Sequence, residues 1–266
     1  MRIATWNVNS VGARLPRLLD WLGTAEPDVL CLQEIKTSED GFPTDEVAAL
    51  GYESAVYGTG RWNGVAILSR VGLADPVRGL IDEPGYQPED AMFPATEPRA
   101  LGATCGDVRV WTVYVPNGRE LGHAHYDYKL AWLAALRMTL AAETSPRLMV
   151  LGDFNIAPTD EDVWDAAAVH GATHVSEPER SALASLRALG LADVVPRALK
   201  YDKPYTYWDY RAGMFHKNFG MRIDLAYASA ALAGSVVDAY VDREARKTGR
   251  KGEPAPSDHA PVVVDL

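Results

Sequence analysis

Short apolar runs closed by polar or turn-forming residues recur along the whole chain and read as strands of a buried sheet. Met1 to Val8, Asp28 to Glu34, Gly64 to Ser69, Val108 to Pro116 and Arg147 to Asn155 are of this kind, as are Arg222 to Ala228, Val236 to Asp242 and Ala260 to Leu266. Between them the period changes. From Ala124 to Glu143 the positions Tyr126, Leu130, Leu133, Leu136 and Leu140 recur at steps of three or four, one stripe of an amphipathic helix. Ser176 and Glu179 fit a reciprocal cap for a second helix through Leu183, Leu186 and Leu189, which Gly190 ends. A third helix is predicted over Arg17 to Leu22. The Pro- and acid-rich stretch Asp82 to Pro98 and the polar segment Thr248 to Ser257 read as long loops, because strand patterns resume directly after both. With no repeat and no low-complexity tract, the pattern predicts one α/β domain over residues 1–266, with helices covering at least one side of the sheets.

Composition leaves that picture in place. The 266 residues are 47% hydrophobic and 23% charged, proportions that exclude collagen, coiled coil and general disorder. Cys31 and Cys105 each lie in an apolar stretch, so they read as buried hydrophobes and not as a disulfide framework or a zinc site, which points to a reducing compartment. No leader-like segment opens the chain and no apolar run reaches about eighteen residues. The expected location is the cytoplasm. A net charge of −10 argues, at first reading, against a polyanionic partner.

The ends of the strands carry the chemistry. Val29 to Leu32 runs into Gln33-Glu34, and Leu148 to Leu151 into Gly152-Asp153-Phe154-Asn155, so two buried strands each deliver an acid to a carboxyl end, where α/β sheets commonly bind ligands. Alternation over Met221 to Ala228 places Arg222, Asp224, Ala226 and Ala228 on one face and Ile223, Leu225 and Tyr227 on the other. Ser257-Asp258-His259 precedes the last strand in a Pro-bounded loop. Each signal is weak alone. Together, several hard oxygen ligands, one imidazole and no thiolate cluster suit Mg²⁺ or Mn²⁺ better than zinc, and they are the equipment for phosphodiester hydrolysis. The other histidine patterns are poorer. His170 and His174 are four apart but enclose Gly171 and lack the glutamate of a helical zinc motif, and His123 and His125 flank a helix start, so all four are taken as structural or surface residues. Neither a nucleophile elbow, a P-loop nor a dinucleotide fingerprint is present.

Six segments in order, Trp6-Asn7-Val8-Asn9, Leu32-Gln33-Glu34-Ile35-Lys36, Tyr114-Val115-Pro116-Asn117, Gly152-Asp153-Phe154-Asn155-Ile156, Arg222-Ile223-Asp224 and Ser257-Asp258-His259, resemble the motif series of the exonuclease III / AP endonuclease family. The resemblance implies a four-layer α/β sandwich, two mixed β-sheets packed face to face with flanking helices. It implies Mg²⁺ on Glu34, with Asn7 helping to hold Glu34 and the metal and Asp258 as a further ligand or a group just behind the ligands. Asp153 would orient or deprotonate the attacking water, Asn155 and Tyr114 would hydrogen-bond the phosphate, and His259, fixed by Asp224, would contact a non-bridging oxygen. Asn117 and Arg222 lie in the same motifs and are expected to be substrate contacts. Tyr205-Thr206-Tyr207-Trp208 is similar to the family's recognition loop, although aromatics in such a run are also plain core formers. There Tyr207 and Trp208 would wall a pocket for a baseless sugar, and Arg211 would press on the duplex beside it. Asn9 departs from relatives that carry Asp, which puts a second metal in doubt.

The implied activity is hydrolysis in double-stranded DNA 5′ to abasic sites, at blocked 3′ ends and along one strand in the 3′-to-5′ direction, by a monomer with no membrane partner. The rivals are a sphingomyelinase-like or inositol-polyphosphate phosphatase-like enzyme of the same superfamily and a catalytically dead interaction module. Tyr114 to Asn117 stands where those branches tend to place a second catalytic His, and no acid of the set is lost. Charge distribution then changes the reading of the −10. Residues 197–222 carry six bases against two acids and 243–251 carry five against one, while Asp82 to Glu97 and Asp153 to Asp165 hold acids and no base. These C-terminal strips are expected to face phosphates, with modest, salt-sensitive affinity.

Overall fold

The computed structural model describes residues 1–88, 92–249 and 252–266. In chain order its strands are β1 (Arg2–Asn7), β2 (Val29–Gln33), β3 (Glu53–Tyr57), β4 (Val65–Ser69), β5 (Ala74–Arg78), β6 (Ala100–Cys105), β7 (Val108–Tyr114), β8 (Leu148–Asp153), β9 (Leu191–Asp193), β10 (Arg197–Ala198), β11 (Asp224–Ser229), β12 (Asp238–Val241) and β13 (Val262–Asp265). The helices are α1 (Val11–Ala25), α2 (Thr44–Ala48), α3 (Ala124–Ala142), α4 (Glu177–Arg187), α5 (Met214–Lys217) and α6 (Ala230–Ala233). One sheet has the order β10-β12-β13-β1-β2-β4-β3 and the other β5-β6-β7-β8-β11-β9. Both are mixed: β1 and β2 run parallel, as do β7 and β8, and β11 and β13 return antiparallel to β8 and β1.

Burial on both faces explains why the central strands read as continuous apolar runs instead of alternating ones. Ile3, Val29, Cys31 and Ile67 of the first sheet meet Leu101, Val110, Met149 and Ala226 of the second in the inter-sheet core. On the outer face of the first sheet, Trp6, Leu30 and Leu32 pack on Leu18, Trp21 and Leu22 of α1. Trp111, Val113 and Val150 of the second pack on Trp132, Leu133 and Leu136 of α3 and on Leu183 and Leu186 of α4. The expected four layers follow. Both cysteines are buried and unpaired.

Differences from the sequence reading have physical causes. Helix α1 starts at Val11, with the Ser10 side chain accepting from the Ala13 amide, and carries Pro16 inside it. Burial of Leu18, Trp21 and Leu22 outweighs the proline, which reads on paper as a start. Strand β6, ALGATC, lacks β-branched bulk because Gly102 lies against the Trp111 ring, where a Cβ would come within 2.6 Å of it.

Gly152, next to Asp153, has φ +149, and an added Cβ would lie 1.9 Å from the Val113 carbonyl oxygen of the paired strand. Only glycine lets β7 and β8 close this tightly at their site end. Gly152→Ala is expected to lower the free energy of unfolding by about 3 kcal/mol or more, measured by denaturant titration.

Candidate active site

Register carries the motif residues to one edge. Asn7 pairs with Gln33 at the parallel ends of β1 and β2, Tyr114 with Asp153 at those of β7 and β8, and Asp224 opens antiparallel β11 opposite Asp153. His259 precedes β13, antiparallel to β1, and so arrives at the same edge. Carboxyl ends of parallel strands and amino ends of antiparallel ones are therefore the same place in space.

Asn7 joins the two halves. Its Nδ2 donates to Glu34 Oε1 and to Asp153 Oδ2, both at 2.9 Å, while its Oδ1 accepts from the Asn9 amide at 3.0 Å. Because a main-chain N–H demands an oxygen, that last bond fixes the amide's orientation. Asn7 thus holds two carboxylates through one nitrogen, and its oxygen is turned from them. The Ser257 hydroxyl anchors the Asn7 carbonyl at 2.7 Å.

His259 is 4% exposed, with Nδ1 2.8 Å from Asp224 Oδ2 and Nε2 3.8 Å from Asp153 Oδ2. The other Asp224 oxygen is buried with no partner among the described residues, so the imidazole is the principal compensation for this carboxylate. Burial opposes the imidazolium, but Asp224 and Asp153 outweigh it and carry the His259 pKa up to about 10. Asp153 is pushed up to about 7 by burial, with the charges of Asp224 and Glu34 acting the same way against His259. Thr206 supports the arrangement, its hydroxyl accepting from the Ile223 and Asp224 amides at 3.1 Å each.

Around this centre, Asn155 Nδ2 donates to the Val115 carbonyl at 3.0 Å, and Asn117 Nδ2 donates to Asn155 Oδ1 at 3.3 Å. Burial and the neighbouring Glu34 push the Tyr114 hydroxyl pKa well up, and Arg99 lies over its ring. Glu34 and Asn155 both have φ +51, a left-handed conformation that costs on the order of 1 kcal/mol for a non-glycine residue.

Donor chemistry shows which residues could hold a cation. Lys36 places its ammonium 2.7 Å from Glu34 Oε2 and 2.6 Å from Asn9 Oδ1, and Asn9 Nδ2 donates to Asp258 Oδ1 at 3.0 Å. A lysine cation therefore already stands where hard oxygens gather, which fits a hard divalent ion. Burial works against the Glu34 carboxylate, yet Lys36 and Asn7 hold its pKa below the ordinary value. Ligand atoms of Asp153, Asp224 and His259 also lie within 4.8 Å of one another. With Nδ1 already bonded to Asp224, that trio is better suited to orienting a proton than to binding a metal. Asn7, expected to help hold Glu34 and the metal, gives its nitrogen to Glu34 and Asp153 and its oxygen to the Asn9 amide.

The recognition-loop residues divide. Tyr207 is half-buried with its ring 4.9 Å from the His259 ring. Trp208, expected to wall a sugar pocket, is instead core: 1% exposed, edge-on to Phe215 and bonded through Nε1 to Asn218. Arg222, expected to touch substrate, is also buried, bridging Asp162 at 2.6 Å and Asp193 at 3.0 Å. The backbone is not yet strand at that point, so strict alternation does not apply to it. Arg211 is 86% exposed and paired with Asp209.

The basic strips are also less free than their sum. Arg197 pairs with Asp238, Lys203 with Glu161 and Lys247 with Glu244, while Arg243 and Arg246 are buried against the Phe215 ring. Arg250 and Lys251, like Glu89 and Asp90 of the acidic stretch, lie outside the described residues. Among the described residues, no helix is long and apolar enough to cross a membrane.

Lys36, Lys129 and His174 are site neighbours to which the sequence alone assigns no catalytic or binding role. Lys129 had a signal, since it falls on the buried stripe of α3 between Tyr126 and Leu133. His174, taken as structural or surface, has Nδ1 2.5 Å from the Asn155 carbonyl oxygen and Nε2 3.5 Å from Asn117 Nδ2.

Known proteins share this fold over the whole chain. The solved structure of the 3′ phosphatase NExo from Neisseria bound to product DNA hairpin superposes with a TM-score of 0.90 at 38% identity, covering 100% of this chain and 99% of that one. An AP endonuclease from Archaeoglobus fulgidus gives 0.88 at 32% identity, with 100% and 99% covered. Exodeoxyribonuclease III of Haemophilus influenzae is 29% identical over 281 residues, covering all of both chains. Residues 4–259 match the family described as the endonuclease/exonuclease/phosphatase family, and the chain belongs to it.

Proposed function

We propose that this chain is a Mg²⁺-dependent nuclease, with Mn²⁺ as a substitute, that hydrolyses phosphoester bonds in duplex DNA. It incises 5′ to abasic sites and removes phosphates, blocking groups and nucleotides from 3′ ends, acting as a monomer through one catalytic domain. The observation that carries this reading is the Asn7 amide bridging Glu34 to Asp153, with the charged His259–Asp224 pair facing the same Asp153 oxygen. Support for DNA as substrate comes from the relatives, described as a 3′ phosphatase bound to product DNA hairpin, an AP endonuclease and an exodeoxyribonuclease.

Glu34, with Asp258 and Asn9 beside it, would hold the ion, which when bound supplies positive charge to the phosphate and the departing oxygen. The chain's own residues do the rest. Asp153, whose Oδ1 is occupied by the Asn155 amide at 2.9 Å, offers Oδ2 to the attacking water and takes its proton. His259 donates from Nε2 to a non-bridging oxygen, and Asp224 on Nδ1 keeps the ring charged as negative charge grows there. Asn155, Asn117 and the Tyr114 hydroxyl border the space where the phosphate lies. Tyr207 walls the side toward His259, where an abasic sugar would sit.

Two measurements check this. On a panel of 3′-phosphorylated duplex, duplex with one abasic analogue, sphingomyelin and an inositol polyphosphate, turnover is expected on DNA; turnover confined to the lipid or the inositol substrate would overturn the assignment. The pH profile gives an independent check. Asp153 must be deprotonated and His259 protonated, so kcat/KM is expected to rise as pH increases through about 7 and to fall through about 10. Bound Mg²⁺ should move the rising limb downward by favouring the ionised Asp153.

A further inference from the structure

The proposed mechanism leaves a fully buried ion pair unused. Lys129 and Glu179 both have 0% side-chain exposure, one on α3 and the other in the first turn of α4, and they form a short salt bridge. A buried lysine is expensive to desolvate and its pKa is lowered, so its presence calls for a reason beyond holding two helices together.

Its other bonds supply one. Lys129 Nζ donates to the main-chain carbonyl of Asn155 at 2.7 Å and to that of Asn117 at 3.2 Å. These belong to the loops after β8 and β7, so one ammonium holds both phosphate-side asparagines from behind. Gly118 makes the approach possible: an added Cβ would lie 3.1 Å from Lys129 Cδ and 2.7 Å from Thr173 Oγ1. Glu179 Oε1 in turn accepts from the His174 amide at 2.9 Å and lies 2.9 Å from the Thr173 hydroxyl, while Oε2 accepts from the Ser176 amide at 3.0 Å.

His174 closes the network. A carbonyl only accepts, so Nδ1, facing the Asn155 oxygen, carries a proton. Nε2 faces the Asn117 amide nitrogen, whose partner oxygen is already taken by the Arg119 amide at 3.0 Å, so Nε2 is the acceptor. The ring is the neutral Nδ1–H tautomer. It fixes which way the Asn117 amide points, and that amide in turn donates to Asn155 Oδ1.

We propose that Lys129 is a positioning residue for the hydrolytic site: with Glu179 as counter-ion and His174 as a brace, it locks the Asn155 and Asn117 loops in the geometry that receives the phosphate. The proposal rests on the functional reading above for what the two asparagines do. It does not rest on it for the rigidity itself. The Asn155 N–H donates to Asp153 Oδ1, so its hydrogen exchange reports the lock without any substrate.

Wild type and Lys129→Met/Glu179→Gln, which removes both charges and so avoids stranding either one, are compared by thermal unfolding, amide exchange, and kcat and KM on a 3′-phosphorylated duplex with Mg²⁺. In the folded double variant the Asn155 amide is expected to exchange at least about tenfold faster while Val150 in mid-β8 is unchanged. The kcat should fall at least about tenfold with KM within about threefold. Retention of either Asn155 protection or kcat within about threefold overturns the proposal, as does faster exchange at Val150 in step with Asn155. Should the double variant not fold, wild type alone decides: an Asn155 amide exchanging more than about tenfold faster than Val150 overturns it, and protection closer to that of Val150 upholds it. Wild type inactive on DNA would refute the functional reading, and the exchange result would still decide the lock.

Discussion

Asp153→Asn is expected to lower kcat on a DNA substrate by roughly 10³-fold or more while leaving the protein folded. The substitution is isosteric, and the Asn155 amide keeps an oxygen acceptor. What it removes is the basic Oδ2, and it turns a donor toward Asn7 Nδ2, which now donates there at 2.9 Å. Stability should not fall in parallel. Asp153 has a folded pKa above its ordinary value, so its ionisation weakens the fold as pH rises from about 3.8 through about 7, and a neutral amide escapes that penalty. Unchanged thermal unfolding at pH 8 beside the collapse of turnover separates chemistry from folding. A variant with more than about a tenth of wild-type kcat would remove Asp153 from the role of base.

His259→Ala is the second large effect, expected to reduce kcat by roughly 10²- to 10⁴-fold with KM changed only a few-fold, because its contact strengthens as charge develops on the phosphate. This substitution also damages the fold. It leaves Asp224 buried without its counter-charge and with an oxygen already unpartnered, at a cost of roughly 3 kcal/mol or more. Adding Asp224→Asn should recover much of that stability and none of the activity. Asp224→Asn alone should bring the His259 pKa down toward its ordinary value, a shift visible by NMR titration of the ring. The wild-type ring has a folded pKa above its unfolded value, so its contribution to stability is full below about pH 6.5 and is lost as pH rises through about 10. A His259 that titrates near 6.5 in the wild-type protein would contradict the geometry.

Much of this site was legible because strand chemistry and site chemistry coincide. The buried runs ending in Glu34 and Asp153 mark their own strand ends, and the apolar terminal strand places His259 beside them. The two-layer burial of those strands made them readable as runs. Strand β6 hid behind its alanines and Gly102, which seats Trp111, and β5 hid because it is an exposed edge strand with Pro76 inside. Residue-level errors had a different origin. Arg222 and Trp208 sit in the right segments, but whether a side chain faces a cleft or the core depends on partners far away in sequence. Asp162 and Asp193 take Arg222, and Phe215 and Asn218 take Trp208. Lys129 was passed over for the converse reason. A lysine on an apolar stripe looks like an interruption until Glu179 and the two loop carbonyls are seen around it. The local charge count misled in the same way, since most described bases of the C-terminal strips are spent on internal pairs or buried against rings.

The central claim is that Asp153, poised by Asn7 against a metal-holding Glu34, cleaves phosphoester bonds in duplex DNA. A single gel assay tests it: end-labelled duplex carrying one abasic analogue, and the same duplex with a 3′-phosphate, each incubated with Mg²⁺ or EDTA and with wild type or Asp153→Asn. Cleavage by wild type with Mg²⁺, abolished by EDTA and by the substitution, is the expected result. Cleavage indifferent to both would contradict the account.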